Sequence, residues 1–184
     1  MSRPVPTGVE SRFDSDEILV SKTDTRGVIT YANPPFIDIS GYTEEELIGT
    51  AHSVVRHPDM PRCVFGLLWD RIASGSEIFA YVKNLRKDGG HYWVFAHVTP
   101  DMDPRSGQIV GYHSCRRQAS SEAVRTIEDL YDQLRKAEAR AAGRRDAAAV
   151  GQAKLEDILA EVGQSYDQFV LDLFIQPKRL HRAA

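Results

Sequence analysis

One short run, Val55-Arg-His-Pro-Asp-Met-Pro61, sets a guanidinium, an imidazole and a carboxylate side by side on a loop stiffened by two prolines. Arg56 is permanently charged and can clamp a phosphate or pyrophosphate bidentately. His57 and Asp59 flank it. The same residues have a purely internal use, in which Arg56 and Asp59 pair, His57 packs beside them and the loop is pinned. Three further positions carry chemistry. Asn84 alternates with Val82 and Ala80, so in a strand its amide points to the side they face. Asn33 precedes Pro34 and Pro35, where it caps a helix or contacts a ligand. His113, taken by itself, reads as a plain strand residue with a titratable imidazole. Catalysis is not expected: there is no Ser-His-Asp order, P-loop, Gly-x-Gly-x-x-Gly or metal-ligand spacing. Cys63 and Cys115 stand far apart with no Cys-x-x-Cys pair, and read as buried reduced thiols.

These residues need a scaffold, and the pattern supplies one. Residues 1–14, rich in Pro, Ser and Gly, read as an arm or cap. Ile18–Thr23 and Val28–Tyr31 are strands joined at Asp24-Thr-Arg-Gly27. The prolines after Asn33 open a helix that Gly41 stops, and Thr43-Glu-Glu-Glu46 is a capping-box pattern opening a second. Met60 to Ser74 is a longer helix with Val64, Leu67, Leu68, Trp69 and Ile72 at helical spacing. Strands over Ile78–Leu85, His91–Thr99 and Gln108–Arg117 follow, turned at Arg86–Gly90 and Pro104–Gly107. The expected fold is α+β, a five-stranded antiparallel sheet with short helices on one face.

From Ser120 the chain turns helical and charged. Val124, Ile127, Leu130, Tyr131 and Leu134 form one apolar stripe, and Leu155 to Leu173 carries a second. Gly143 or Val150-Gly151 breaks the run into a hairpin, or it stays one long helix. The stripes, together with Trp93 and Phe95 on the outer sheet face, predict a homodimer. The domain reading is an arm over 1–14, a sensor domain over 15–118, a helical output or dimerisation region over 119–176 and a tail over 177–184.

Composition limits the partners. The chain has 184 residues, 42% hydrophobic and 27% charged, with a formal net charge of −3. From Ala119 onward ten Lys/Arg face eleven Asp/Glu, and thirteen face fifteen before it, so neither half is basic enough to favour nucleic acid. No stretch nears the roughly 20 apolar residues of a membrane span, and the N-terminus lacks a secretory signal, so a cytoplasmic location without membrane insertion is expected.

Three stretches together carry a resemblance: Ile29-Thr-Tyr-Ala-Asn-Pro-Pro-Phe36, Ser40-Gly-Tyr-Thr-Glu-Glu-Glu-Leu-Ile-Gly49 and Lys87-Asp-Gly-Gly-His-Tyr-Trp93. They are similar to the running signature of PAS domains over about residues 15–118. Val55–Pro61 and Val82-Lys-Asn84 resemble the aerotaxis-receptor PAS. That resemblance implies a noncovalently bound FAD whose oxidation state is read and relayed, with Arg56, His57, Asp59, Asn84, Asn33 and His113 as cofactor-binding residues. Aligned with light-sensing flavin PAS domains, Asn84 falls on a flavin-contacting amide and His113 on the glutamine that senses flavin N5. The light-sensing motif Asn-Cys-Arg-Phe-Leu is replaced by Val54-Val-Arg-His57, which excludes blue-light adduct chemistry. Ile78 stands where aerotaxis receptors tend to carry tryptophan. The competing readings are a haem-type gas sensor, ligated by His57 or His113, and a cofactor-free interaction module. Nothing after residue 118 resembles a chemoreceptor's signalling parts, so the expected output is to a separate signalling protein of chemotaxis or kinase type, or through dimerisation.

Overall fold

The computed structural model describes residues 3–180, and their side chains except at 144–145 and 176–180. The chain runs β1 (Leu19–Thr23), β2 (Ile29–Ala32), α1 (Pro34–Ser40), α2 (Glu44–Leu47), a 3-10 turn at His52–Val55, and α3 (Arg62–Ala73). It continues through β3 (Ile78–Leu85), β4 (His91–Met102), β5 (Ile109–Gln118), α4 (Ser121–Glu138), α5 (Arg144–Val162) and α6 (Tyr166–Leu180). The strands form one antiparallel sheet in the order β2-β1-β5-β4-β3. The last four residues of the expected tail lie outside the described residues, and 177–180 continue α6.

Local chemistry accounts for the short helices. The Asn33 side chain accepts from Phe36 N–H at the start of α1, and Gly41 closes that helix at φ 75°. Thr43 and Glu46 form the reciprocal capping box of α2. The N-terminal arm pairs with the start of β4 and crosses the β3–β4 turn: Thr7 N–H donates to Gly89 O at 2.8 Å, and His91 N–H to Val9 O at 2.8 Å. Gly89 (φ 88°) has no substitute there, because a Cβ would stand 2.2 Å from the Val5 carbonyl oxygen.

Strand alternation divides the sheet. Val82 and Asn84 of β3, Ala96 and Val98 of β4, and Tyr112, Ser114 and Arg116 of β5 face α3. Trp93 and Phe95 face the other way, as alternation predicts, and the chain covers them itself. Tyr131 of α4 lies 6.1 Å from the Trp93 ring and donates its hydroxyl to Tyr81 O at 2.6 Å, while Phe174 of α6 stacks on Phe95 at 4.3 Å. The homodimer expectation rested on these faces lacking cover. With the cover supplied within the chain, that ground is gone.

The C-terminal region is neither a hairpin nor one helix but three helices. The chain breaks between Glu138 and Arg144, and again at Gly163, which is left-handed (φ 67°). Gly151 lies within α5, where helix meets helix: a Cβ there would come within 2.6 Å of Glu138 Oε1 and 2.9 Å of Cys63 Sγ. The second apolar stripe therefore spans two helices. Among the described residues no helix is long and apolar enough to cross a membrane.

Candidate functional site

Between α3, the 3-10 turn and the inner sheet face lies a cavity of about 210 Å³. Its walls are apolar and aromatic: Phe65, Leu68 and Trp69 of α3, Val82 of β3, and Tyr112, whose ring meets Trp69 edge-on at 5.5 Å. Gly27 (φ 79°) lets the Trp69 ring lie close, since a Cβ there would be 3.0 Å from it. Ile78 is buried in the core, and the aromatic side of the cavity comes from Trp69 and Tyr112 instead.

Polar groups are few and inward-facing. Asn84 is only 3% exposed, and its side-chain amide makes no hydrogen bond among the described residues. Its backbone bridges to Arg56, the next residue at the cavity mouth. The Arg56 guanidinium lies over the Phe65 ring at 4.1 Å and joins no ion pair among the described residues. Its pKa is lowered by burial and by the neighbouring charges of Arg62 and Arg3. Deeper in, Ser21 receives a hydrogen bond from Arg116 and contacts His52 Nε2 at 3.0 Å. Burial holds His52 neutral, its pKa pushed down to about 3, with the Arg116 charge adding to the effect.

Arg56, Ala51 and Ser53 also line a second, larger pocket of about 920 Å³ outside the first. Its walls come from the N-terminal arm, the 3-10 turn, the start of α3 and the α4–α5 junction. Four arginines, Arg3, Arg56, Arg62 and Arg135, line it with the single carboxylate of Glu138, and the Arg135 guanidinium is already paired with Asp59 and Asp132. That carboxylate is already engaged: it accepts from Arg62 N–H and Cys63 N–H, both at 2.9 Å. It thereby caps α3, which has no side-chain cap of its own. Together with burial, Glu138 pushes the Cys63 thiol up to about 12. An aromatic inner cavity thus opens, past Arg56, onto a cationic outer one.

Of the residues singled out from sequence, Arg56 and Asn84 meet here, and the other four do not. The side chain of Asn33 belongs to the fold: Oδ1 accepts from Val20 N–H (2.8 Å) and Phe36 N–H (3.2 Å), and Nδ2 donates to Ile18 O (2.8 Å). His57 is buried against His91, with ring centroids 5.7 Å apart, and its Nδ1 accepts from Asp59 N–H at 3.1 Å. Burial lowers its pKa to about 4 despite the nearby Asp59. Asp59 faces outward to Lys83 (3.1 Å) and Arg135 (3.2 Å), tying the loop to β3 and α4. The loop is pinned as the internal reading expected, but by Asp59 with Lys83 and Arg135, which leaves Arg56 unpaired. His113 sits one residue out of phase, paired with Lys22 and Thr99, whereas its neighbours Tyr112 and Ser114 line the cavity. The inward residue that sequence reasoning missed is Arg116. The signal for it was a second period-2 set, Tyr112, Ser114 and Arg116, in β5.

Residues 29–116 match the family profile of the PAS fold. The domain is a PAS domain. The chain is 42% identical over 133 residues to the aerotaxis receptor of Escherichia coli strain K12, covering 72% of this chain and 26% of the receptor. It is 29% identical over 103 residues to the nitrogen fixation regulatory protein of Klebsiella pneumoniae, over 56% of this chain and 21% of that protein. The chain therefore spans about a quarter of the length of these curated relatives. The PAS fold also matches solved structures. One is the light state of the blue-light photoreceptor Aureochrome1 LOV (TM-score 0.54, 21% identity, 64% of this chain and 91% of that one). Another is a light-oxygen-voltage domain studied with a flavin analogue (TM-score 0.54, 19% identity, 63% and 86%).

Proposed function

We propose that this PAS domain binds FAD, with the ring system in the inner cavity and the pyrophosphate at Arg56, and that it senses redox or oxygen state rather than catalysing a reaction. The observation that carries the reading is the two-part site: an aromatic cavity holding the free amide of Asn84, joined at Arg56 to a pocket ringed by arginines. A flat, largely apolar ring with hydrogen-bonding edges suits the first, and a dianionic dinucleotide tail suits the second. Similarity to a receptor named for aerotaxis, and to a fold neighbour studied with a flavin analogue, supports the same reading.

When bound, FAD supplies reversible two-electron chemistry. The protein's residues do the rest. Asn84 offers both a donor and an acceptor to the ring edge, and Trp69, Phe65 and Tyr112 exclude water from its faces. Arg56 holds the tail, whose pocket is walled by the α4–α5 junction. Signal output by this reading passes to α4 and α5 and from them to a separate signalling protein in the cytoplasm. Haem ligation by His57 or His113 has no support in the geometry, because neither residue lines the cavity.

Titrating the apoprotein with FAD and with riboflavin tests the reading. FAD binds at least about tenfold more tightly, a difference of about 1.4 kcal/mol contributed by the tail. Equal affinities, or no binding of either, contradict the two-part site.

A further inference from the structure

Arg116 is a buried charge without a counter-charge among the described residues. It is 2% exposed, and its Nε and Nη1 have no hydrogen-bond partner among the described residues. Its remaining contacts are neutral: one hydrogen bond to the Ser21 hydroxyl, and the Phe36 ring 4.4 Å below the guanidinium carbon. No carboxylate pairs with it among the described residues. The titratable groups around it are His52, Tyr92 and Cys115. Tyr92 is itself fully buried with an unpartnered hydroxyl. Burial pulls the Arg116 pKa down only to about 10, so the guanidinium remains charged at neutral pH. An unpaired buried charge costs several kcal/mol unless something meets it, and Arg116 lines the inner cavity.

We propose that Arg116 is the redox-tuning residue of this domain, a fixed and unpaired positive charge in the cavity wall that stabilises the negative charge reduction places on the flavin ring. The inference rests on the FAD reading above. Alternation fixes the direction: Arg116 follows Tyr112 and Ser114 on the cavity face of β5, opposite Ala96 of β4. The neutral oxidised ring offers Arg116 only hydrogen-bond acceptors, whereas a reduced ring that has gained two electrons and one proton carries a full negative charge. Arg116 therefore binds the reduced state better and raises the potential. The residue is two positions before the end of β5, which leads through Ala119 and Ser120 into α4, so a changed Arg116 contact acts at the base of the C-terminal helices.

The test is the midpoint potential of the flavin-loaded protein, wild type against Arg116→Gln and Arg116→Lys, reduced stepwise with dithionite. Dithionite gives up the two electrons and is oxidised to sulfite, and water supplies the proton. Arg116→Gln shifts the ratio of reduced-state to oxidised-state affinity at least tenfold against reduction, which lowers the potential by about 30 mV, whereas Arg116→Lys stays close to wild type. In the wild type alone, the potential falls by about 30 mV per pH unit through neutral pH, the slope of one proton taken up with two electrons. An unchanged potential in flavin-bearing Arg116→Gln overturns the inference. So does a wild-type slope of about 59 mV per pH unit, which signals a neutral reduced ring. If Arg116→Gln retains no flavin, the wild-type slope decides. A wild type that takes up no flavin refutes the FAD reading itself, and the inference with it.

Discussion

Replacing Arg56 by alanine lowers FAD affinity about thirtyfold, the loss of about 2 kcal/mol expected when a charge-assisted, bidentate contact is removed at a partly solvated mouth. Riboflavin, which has no phosphate, binds the variant within about threefold of wild type, because Arg56 stands at the mouth and the aromatic walls and Asn84 remain. The asymmetry between the two ligands is the informative part. Arg56 rests on the Phe65 ring and makes no ion pair among the described residues, so its removal breaks no ionic tie among them. A melting temperature within a few degrees of wild type accompanies the affinity loss. An equal loss for both ligands makes Arg56 a loop residue, and no loss for either removes it from the site.

Replacing Glu138 by alanine has the second large effect, and it falls on the helices. The buried carboxylate is the side-chain cap seen on α3 among the described residues and joins α4 to the PAS domain through two charge-assisted hydrogen bonds of 2.9 Å. Its loss costs about 3 kcal/mol, because two donors at a helix start lose their acceptor in a crowded place. Gly151 of α5 presses on this same point, so α5 loosens with α4. Hydrogen exchange reads the result: protection falls across residues 121–162 and holds in the strands. Glu138→Gln, which keeps an acceptor, retains roughly half of the stability. Unchanged exchange in the alanine variant means that the helices are held by their apolar stripes alone. In that case Val124, Ile127 and Leu134, all buried, carry the docking.

The fold was legible because its signals are local. Asn33 before two prolines, the Thr43–Glu46 box and the Asp88-Gly89 turn each mark an element boundary through backbone chemistry that a few residues decide. Asn84 was legible for the same reason, since the tight turn after it fixes the strand register and alternation then fixes its direction. The other polar residues of the signature were harder. A motif shows which side chains recur together, and it does not show whether their polar atoms serve the backbone. Asn33 and His57 accept backbone N–H groups, and Asp59 meets Lys83 and Arg135, partners that are distant in sequence.

His113 and Arg116 differ by a single strand phase. The ladder between β4 and β5 carries an irregularity at Asp101/Met102, and the β4 strand runs on to Met102 rather than ending at Thr99. An alignment that assumes an even count across that turn places His113 inward, whereas the actual pairing places Tyr112, Ser114 and Arg116 there. The cover over Trp93 and Phe95 was hidden for a different reason. Amphipathic stripes demand burial without naming the surface that provides it.

The measurement that bears most directly on the central claim is the visible spectrum of the protein as purified, followed by identification of whatever heat denaturation releases. The expected result is a yellow protein with the two-banded absorption of an oxidised flavin, bleached by dithionite and restored by air, that releases FAD in a ratio approaching one per chain. A Soret band, or a colourless protein that takes up no FAD when it is supplied, contradicts it.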